Sequence, residues 1–106
     1  MILIEINEIL FNFANAHVVQ FVKDKLMVYF DKDNILQLEN HEDFDISNFE
    51  DFFVKLNVSD TETIYINKFT FMYLKNKKEI LNFKFVENFE FEIDTSYEYV
   101  IERFQI

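Results

Sequence analysis

The 106-residue chain contains no cysteine, glycine, proline or tryptophan. Without cysteine there can be no disulfide, no cysteine nucleophile and no cysteine-ligated metal site. Without glycine, the phosphate-cradling loops of P-loop and dinucleotide-binding proteins are excluded, because glycine lets the backbone approach the ligand closely. A nucleophile elbow is excluded on similar grounds. These absences together remove several common classes of enzyme.

Long hydrophobic runs and cationic leaders are also missing. The first residues, Met1 to Glu5, carry no basic segment and no long apolar run, which argues against a signal peptide. No stretch approaches the roughly 18 apolar residues that a membrane span needs. We therefore expect a cytoplasmic protein that has no contact with membranes. The scarcity of residues with GC-rich codons, such as the single arginine Arg103, indicates an AT-rich genome, for example that of a low-GC bacterium or its phage.

Phenylalanine is abundant: the chain has 15 of them, and half of all residues are hydrophobic. This is enough apolar surface to form a stable core, so a disordered chain is not expected. Aromatic residues pack well on pleated sheets, and their abundance favours strands. A chain of this length fits one domain, and we predict a single domain over residues 1–106.

Alternating residues predict several strands. Phe83 and Phe85 alternate with polar residues before Glu87-Asn88, and Phe89, Phe91 and Ile93 alternate with acids after it, which predicts a β-hairpin with one buried face. Further strands are predicted at 26–30, 35–38, 64–66 and around 73–74. Because glycine is absent, we expect Asn or Asp wherever a turn needs a positive φ. The predicted turns are Lys23-Asp24-Lys25, Asp31-Lys32-Asp33-Asn34, Asn57 to Asp60, Lys75-Asn76-Lys77-Lys78 and Glu87-Asn88.

One helix is predicted from a capping box. Ser47 and Glu50 have the spacing at which each side chain satisfies a free backbone N–H, and Phe49, Phe52, Phe53 and Leu56 follow at helical spacing. Both ends of the chain stay ambiguous. Residues 9–22 fit a helix or two strands, and residues 96–104 fit a strand or a helix capped by Thr95. The predicted fold class is α+β: an antiparallel sheet of about five strands with one or two packed helices in a compact domain.

The charge balance is strongly acidic. The chain carries 20 acids and 10 bases, a formal charge of -10. Such a field repels nucleic acid and anionic lipid and attracts basic proteins, although it also serves solubility. Thirteen of the acids fall into two blocks without any Lys or Arg. The first holds Asp33, Glu39, Glu42, Asp43, Asp45, Glu50 and Asp51, and the second holds Glu87, Glu90, Glu92, Asp94, Glu98 and Glu102.

The second block is predicted to form an ordered row of carboxylates. Glu90, Glu92 and Asp94 alternate on one strand, which would place them roughly 6.6 Å apart on its polar face. Such a row could imitate phosphates in a basic nucleic-acid groove, and an ordinary solvent-facing strand is the alternative. The predicted partner-binding residues are Glu87, Glu90, Glu92 and Asp94 in the second block, and Glu39, Glu42, Asp43 and Asp45 in the first.

The sequence predicts no catalytic, cofactor-binding or metal-binding residue. His41 alternates with the acids Glu39, Asp43 and Asp45, which could form a metal site or an acid–base pair, but a solvated acidic loop explains the pattern better. A calcium loop beginning at Asp31 fails because Leu36 stands at its obligatory glycine position. His17 lies beside Val18 and Val19 and is interpreted as a residue at the edge of the core.

These features lead to a binding function. We expect a non-enzymatic acidic inhibitor that occludes the basic, nucleic-acid-binding surface of a partner such as a nuclease, as phage anti-CRISPR proteins do. One alternative is an immunity protein that neutralises a basic toxin nuclease. Another is a phage or bacterial assembly protein that acts through homo-oligomerisation, and a homodimer would fit it. No cofactor, direct nucleic-acid contact or membrane contact is expected.

Overall fold

The computed structural model describes residues 2–39, 49–78 and 80–105. In this part of the chain there are ten strands and one α-helix, α1 (Tyr97–Phe104). Short 3₁₀ turns occur at Phe13–Asn15, Phe49–Asp51 and Val86–Asn88. The strands are β1 (Leu3–Ile6), β2 (Ile9–Asn12), β3 (Val18–Val22), β4 (Lys25–Tyr29), β5 (Ile35–Glu39), β6 (Phe53–Ser59), β7 (Glu62–Asn67), β8 (Phe71–Lys77), β9 (Ile80–Phe85) and β10 (Glu90–Ile93).

The strands form three antiparallel sheets. The largest has five strands in the order β5-β4-β3-β7-β6, and it lies at the centre of the molecule. A three-stranded sheet has the order β10-β9-β8, and β1 and β2 form a separate hairpin. The predicted β9–β10 hairpin is confirmed, with Phe91 opposite Phe83 and Glu90 opposite Lys84.

The central sheet is covered on both faces because its strands carry apolar residues on both. Val18 and Ile66 face the three-stranded sheet and α1, which we call the helix side. Val19 and Tyr65 are adjacent to these residues in their strands and point to the opposite face. They face the β1–β2 hairpin and two of the 3₁₀ turns, which we call the hairpin side. A sheet with two apolar faces needs a cover on each of them.

The predicted fold class is confirmed at the level of a compact α+β domain, but the single sheet of about five strands is wrong. The chain builds three sheets in layers instead of one. The physical reason is the large number of phenylalanines: a single half-buried sheet could not bury rings such as Phe13 and Phe83, which lie on opposite sides of the central sheet and are both fully buried.

The helix predicted from Ser47 is also wrong. Ser47 lies outside the described residues, but Phe49 begins a 3₁₀ turn and Phe53 begins strand β6. Phe53 is buried on the hairpin side, whereas Val54 and Leu56 are buried on the helix side. Since the strand lies between two cores, it buries consecutive apolar residues, which a one-sided helix would leave partly exposed.

The structure resolves both ambiguous ends. Residues 9–22 contain two strands, and residues 97–104 form α1. The cap of α1 is Ser96 and not Thr95, because the Ser96 Oγ accepts a hydrogen bond from the Tyr99 N–H at 3.2 Å. Within the described chain no helix is long and apolar enough to cross a membrane.

Helix α1 covers the outer edge of the central sheet at β6. The Asn57 N–H donates to the Tyr99 Oη at 2.8 Å, and the Arg103 Nε–H donates to the Lys55 carbonyl at 3.1 Å. Both backbone groups belong to residues of an edge strand. Covering such an edge blocks further strand pairing there.

The expectation that Asn or Asp would fill the positive-φ positions holds only in part. Six described residues have a positive φ, and only Asn7 and Asn88 among them are asparagines. The other four are Glu8, Lys23, Lys78 and Glu87. Short hairpin turns impose this conformation whatever the residue, as in the two-residue Asn7-Glu8 turn between β1 and β2. Two predicted turns also begin too early, since β6 runs to Ser59 and β8 runs to Lys77.

Candidate protein-binding surfaces

The three-stranded sheet has a buried face and a second face that points away from the core. Leu81, Phe83 and Phe85 of β9 are buried on the helix side. The residues that alternate with them form what we call the outer face. Its members on β8, β9 and β10 are Tyr73, Lys75, Lys77, Ile80, Asn82, Lys84, Glu90 and Glu92, together with Asp94, which directly follows β10.

Charges on the outer face are sorted by strand. Cross-strand register places Glu90, Lys84 and Tyr73 in one row across β10, β9 and β8, and Glu92, Asn82 and Lys75 in the next row. Thus β10 supplies a column of three acids, including Asp94, while Lys75 and Lys77 occupy the opposite strand and Lys84 the middle one. Three carboxylates and three ammonium groups cancel, so the outer face is neutral although the chain carries -10.

The predicted row of carboxylates is therefore present but not isolated. Glu90, Glu92 and Asp94 are exposed along one side of β10, as the alternation predicts. The base-free block in the sequence nevertheless lies next to lysines in the structure, because antiparallel pairing brings β8 and β9 alongside β10. The order of charges along one strand does not show which charges lie beside them on the neighbouring strands.

Asn82 occupies the middle of the outer face and is almost completely buried. It is 4% exposed, and its side-chain Oδ1 has no hydrogen-bond partner among the described residues. Its cross-strand neighbours are Glu92 and Lys75, whose side chains are exposed. A buried acceptor without a donor costs about 1–3 kcal/mol. The sequence offered no signal for this residue, since an asparagine between apolar neighbours in a strand normally faces solvent.

A second acidic surface lies where the β4–β5 loop meets the turn after β9. Asp31, Asp33 and Glu87, which we call the acidic rim, line one pocket of about 320 Å³ together with Lys32, Asn88 and Phe89. The only cation in the lining is Lys32. Asp33 and Glu87 belong to separate acidic blocks of the sequence, and no feature of the sequence predicts that they come together.

The loop of the acidic rim is held by Asp31. Its carboxylate accepts hydrogen bonds from the Asn34 side chain, from the Asp33 N–H at 2.8 Å and from the Asn34 N–H at 2.7 Å. These hydrogen bonds hold the pKa of Asp31 below its ordinary value, and the bond from the Asn34 side chain contributes most. Asp31 thus stays ionised and fixes the loop, while Asp33 and Glu87 are exposed and available to a partner.

His17 lies behind this region, in the core. It is 2% exposed, its ring lies 5.3 Å from the Phe85 ring and 5.1 Å from the Phe89 ring, and its Nδ1 is 2.9 Å from the Thr70 Oγ1. Burial lowers the pKa of His17, although the negative charges of Glu87 and Asp31 partly oppose the shift. His17 is therefore a core residue, buried more deeply than the predicted position at the edge of the core.

The first acidic block is represented by one described candidate. Glu39 is exposed at the end of β5, where the register places it opposite Lys25. Glu42, Asp43 and Asp45, together with His41, lie outside the described residues. Of the first predicted group, only Glu39 can therefore be placed.

Across residues 2–39, 49–78 and 80–105, no group of three or more His, Asp or Glu side chains is arranged to hold a metal ion. Comparison adds no relatives: no protein family, curated protein or solved structure matches this chain. The surfaces of the molecule are therefore the basis on which its function can be inferred.

Proposed function

We propose that the protein is a non-enzymatic acidic inhibitor that binds the basic, nucleic-acid-binding surface of a partner protein and occludes it. The observation that supports this proposal is the acidic rim. Carboxylates from two separate elements, Asp33 in the β4–β5 loop and Glu87 after β9, converge on one pocket that contains a single lysine. A concave acidic surface of this kind is complementary to a protruding Lys or Arg side chain.

The charge distribution supports the same contact surface. Because the outer face is neutral, the remainder of the chain carries the whole net charge of -10. Such an asymmetric field orients an approaching basic protein and raises its association rate. Glu90 follows the rim along the chain and would extend the contact toward β10. In this proposal Glu92 and Asp94 contribute less than their position in the acidic block suggested, because Lys75 and Lys77 share their sheet face.

The biological setting divides this proposal into two cases. An anti-CRISPR or other anti-defence protein of a phage would block a CRISPR effector or nuclease of the host. An immunity protein would neutralise a toxin nuclease in the cell that produces it. The mechanism is steric and electrostatic occlusion in both cases. Phage genes beside the gene would favour the first case, and an adjacent toxin gene the second.

The test is affinity capture of partners from host extract at low and high salt, with a variant in which the acidic rim is reversed. We expect a basic nucleic-acid-binding protein to be captured at about 50 mM salt and lost near 0.5 M, because salt screens exposed charges. Combining Asp33→Lys with Glu87→Lys should reduce its capture at least about tenfold, which corresponds to the loss of roughly 1.4 kcal/mol.

A matched control separates the rim from net charge. Combining Glu5→Lys with Asp60→Lys makes the same change in net charge at exposed residues of the β1–β2 hairpin and the β6–β7 turn. This control should retain most of the capture. Equal losses in both variants would mean that only net charge matters, and capture that ignores both salt and the rim would contradict the proposal.

A further inference from the structure

We infer that the outer face of the three-stranded sheet binds the outer face of a second copy of this chain, in a two-fold dimer whose axis runs parallel to β9. This inference does not depend on the proposed inhibitor function, because it uses a different partner and, apart from Glu90, a different surface. It rests on the sorted charges of the outer face, on its neutrality and on the exposed side chains of Ile80 and Tyr73.

The sorted charges select the axis. When one copy is rotated by a half turn about an axis parallel to β9 and lying between the two faces, its β10 comes to lie over β8 of the other copy. Glu92 then faces Lys75 of the second copy, and Asp94 faces Lys77. Each contact occurs twice, because a two-fold interface uses the same patch on both copies. A rotation about the perpendicular axis in the same plane would place β10 over β10 and oppose like charges.

The residues of β9 then lie near the axis and meet their own counterparts. Asn82 lies opposite Asn82 of the other copy, but its Oδ1 is enclosed by its own chain and takes no part in the contact. Ile80, which is 41% exposed, packs against its counterpart. The two Lys84 ammonium groups also approach each other, but each lies beside Glu90 of its own chain and near Glu90 of the second copy.

Tyr73 and Met72 enlarge the interface at its β8 edge. Tyr73 is 42% exposed and lies in the same row as Glu90, so its hydroxyl can donate to Glu90 of the second copy. Met72 is 56% exposed and is the extra residue of a bulge between Phe71 and Tyr73. Exposed apolar side chains on a sheet face that points away from the core are explained by a second layer packed on that face.

The dimer is expected to be weak. Three short strands offer less than the roughly 800 Å² per partner of a standard interface, and the acidic remainder of each copy repels the other over distances that salt screens. We expect a dissociation constant of about 0.1 mM. Sedimentation-velocity measurements at loading concentrations from about 10 μM to 1 mM would show an increase in the average sedimentation coefficient across that range.

Two charge-reversed variants test the register. Glu92→Lys places Lys against Lys across the axis, and Lys75→Glu places Glu against Glu. Each variant alone should therefore dimerise at least tenfold more weakly than the wild type. An equimolar mixture restores opposite charges at both contacts. The lysine introduced in the first variant then faces the glutamate introduced in the second, and the unchanged Glu92 of the second faces the unchanged Lys75 of the first. The mixture should form a heterodimer at wild-type strength.

Further variants identify the axis and exclude a general charge effect. A chain that carries both Glu92→Lys and Lys75→Glu should dimerise like the wild type, because the proposed axis pairs the two swapped residues. The single variants distinguish the axes: the perpendicular axis would oppose like charges in the wild type and in each single variant alike, so neither single variant would dimerise more weakly than the wild type. Glu5→Lys and Lys32→Glu are the matched controls of equal charge change outside the outer face, and circular dichroism at each concentration confirms that every variant is folded.

Three outcomes would overturn the inference: a wild-type chain that stays monomeric at 1 mM, single variants that dimerise as well as their controls, or a mixture that does not associate. Capture of a basic partner is measured separately. The Lys75→Glu variant keeps the acidic rim, so loss of dimerisation with retained capture would leave the proposed function intact, and the reverse result would leave the dimer intact.

Discussion

The two sides of the central sheet are covered in different ways. On the helix side, regular structure covers the core: the three-stranded sheet and α1 pack over buried residues such as Phe83, Phe85 and Val100. On the hairpin side, a two-stranded hairpin and short 3₁₀ turns cover a core that contains Phe13 and Phe49. Irregular turns cannot satisfy their own backbone as helices and sheets do, so this side needs hydrogen bonds from side chains.

Asn67 and His17 make this contrast concrete, because each is a buried polar residue that joins neighbouring segments. The Asn67 amide donates to the carbonyls of Ala14 at 2.8 Å and Ala16 at 2.6 Å, and its Oδ1 accepts from the Phe69 N–H at 2.8 Å. His17, packed against the phenylalanines of the helix side, has Thr70 on Nδ1 and no partner for Nε2 among the described residues. The hairpin side depends on a satisfied polar residue, whereas the helix side tolerates an unsatisfied one.

The largest expected effect compares the two cores directly. Phe85→Ala and Phe13→Ala each remove a fully buried ring, and such truncations cost about 3–5 kcal/mol. We expect Phe85→Ala to lie near the upper end, because the surrounding sheets cannot close around the cavity. Phe13→Ala should cost about 1 kcal/mol less, because a 3₁₀ turn can relax inward. Urea denaturation of both variants measures the difference, and a larger loss for Phe13→Ala would reverse the comparison.

The next effect tests whether the hairpin side depends on Asn67. Asn67→Ala leaves the Ala14 and Ala16 carbonyls without their donor and should lower the free energy of unfolding by about 2–3 kcal/mol. Asn57→Ala is the matched control on the neighbouring strand β6, since the Asn57 side chain is exposed, and it should cost less than about 0.5 kcal/mol. Similar losses in the two variants, measured by urea denaturation, would remove the special role of Asn67.

The same contrast explains which parts of the fold the sequence predicts. The β9–β10 hairpin follows from alternation because its Phe face meets one core and its acidic face meets none. The segment from Phe49 to Leu56 is not the predicted helix. It contributes buried residues to both cores, and their spacing matches a helical pattern by coincidence. The spacing of apolar residues in the sequence distinguishes a helix from a strand reliably when only one side of that element is buried.

The candidate surfaces were predictable to a smaller degree. Glu90, Glu92 and Asp94 could be placed on one face of one strand, since alternation depends only on local geometry. The lysines that share this face, Lys84 on β9 and Lys75 on β8, could not be placed, because cross-strand register is set by turns and by core packing elsewhere in the chain. The convergence of Asp33 with Glu87 likewise depends on how two sheets stack. The features of each surface that depend on neighbouring residues in the sequence were predictable, and those that depend on contacts between distant segments were not.

The smallest of these effects is a pH dependence that arises from the unsatisfied His17. Burial lowers its pKa in the folded protein below the ordinary 6.5, so on acidification the unfolded chain binds a proton first. The free energy of unfolding should therefore decrease as the pH falls below about 6.5 and level off once the folded pKa is passed. The slope from one such group is at most about 1.4 kcal/mol per pH unit.

His17→Phe isolates this contribution, because a phenyl ring can stack against Phe85 and Phe89 in the same place but cannot bind a proton. Urea midpoints measured between pH 7.5 and 5.5 should fall for the wild type and stay flatter for the variant. The difference between the two profiles removes the titration of groups that both proteins share. Parallel profiles would mean that His17 is protonated as easily in the folded chain as in the unfolded one. In that case Glu87 and Asp31 would compensate for its burial, and the helix side would hold its polar residue at as little cost as the hairpin side holds Asn67.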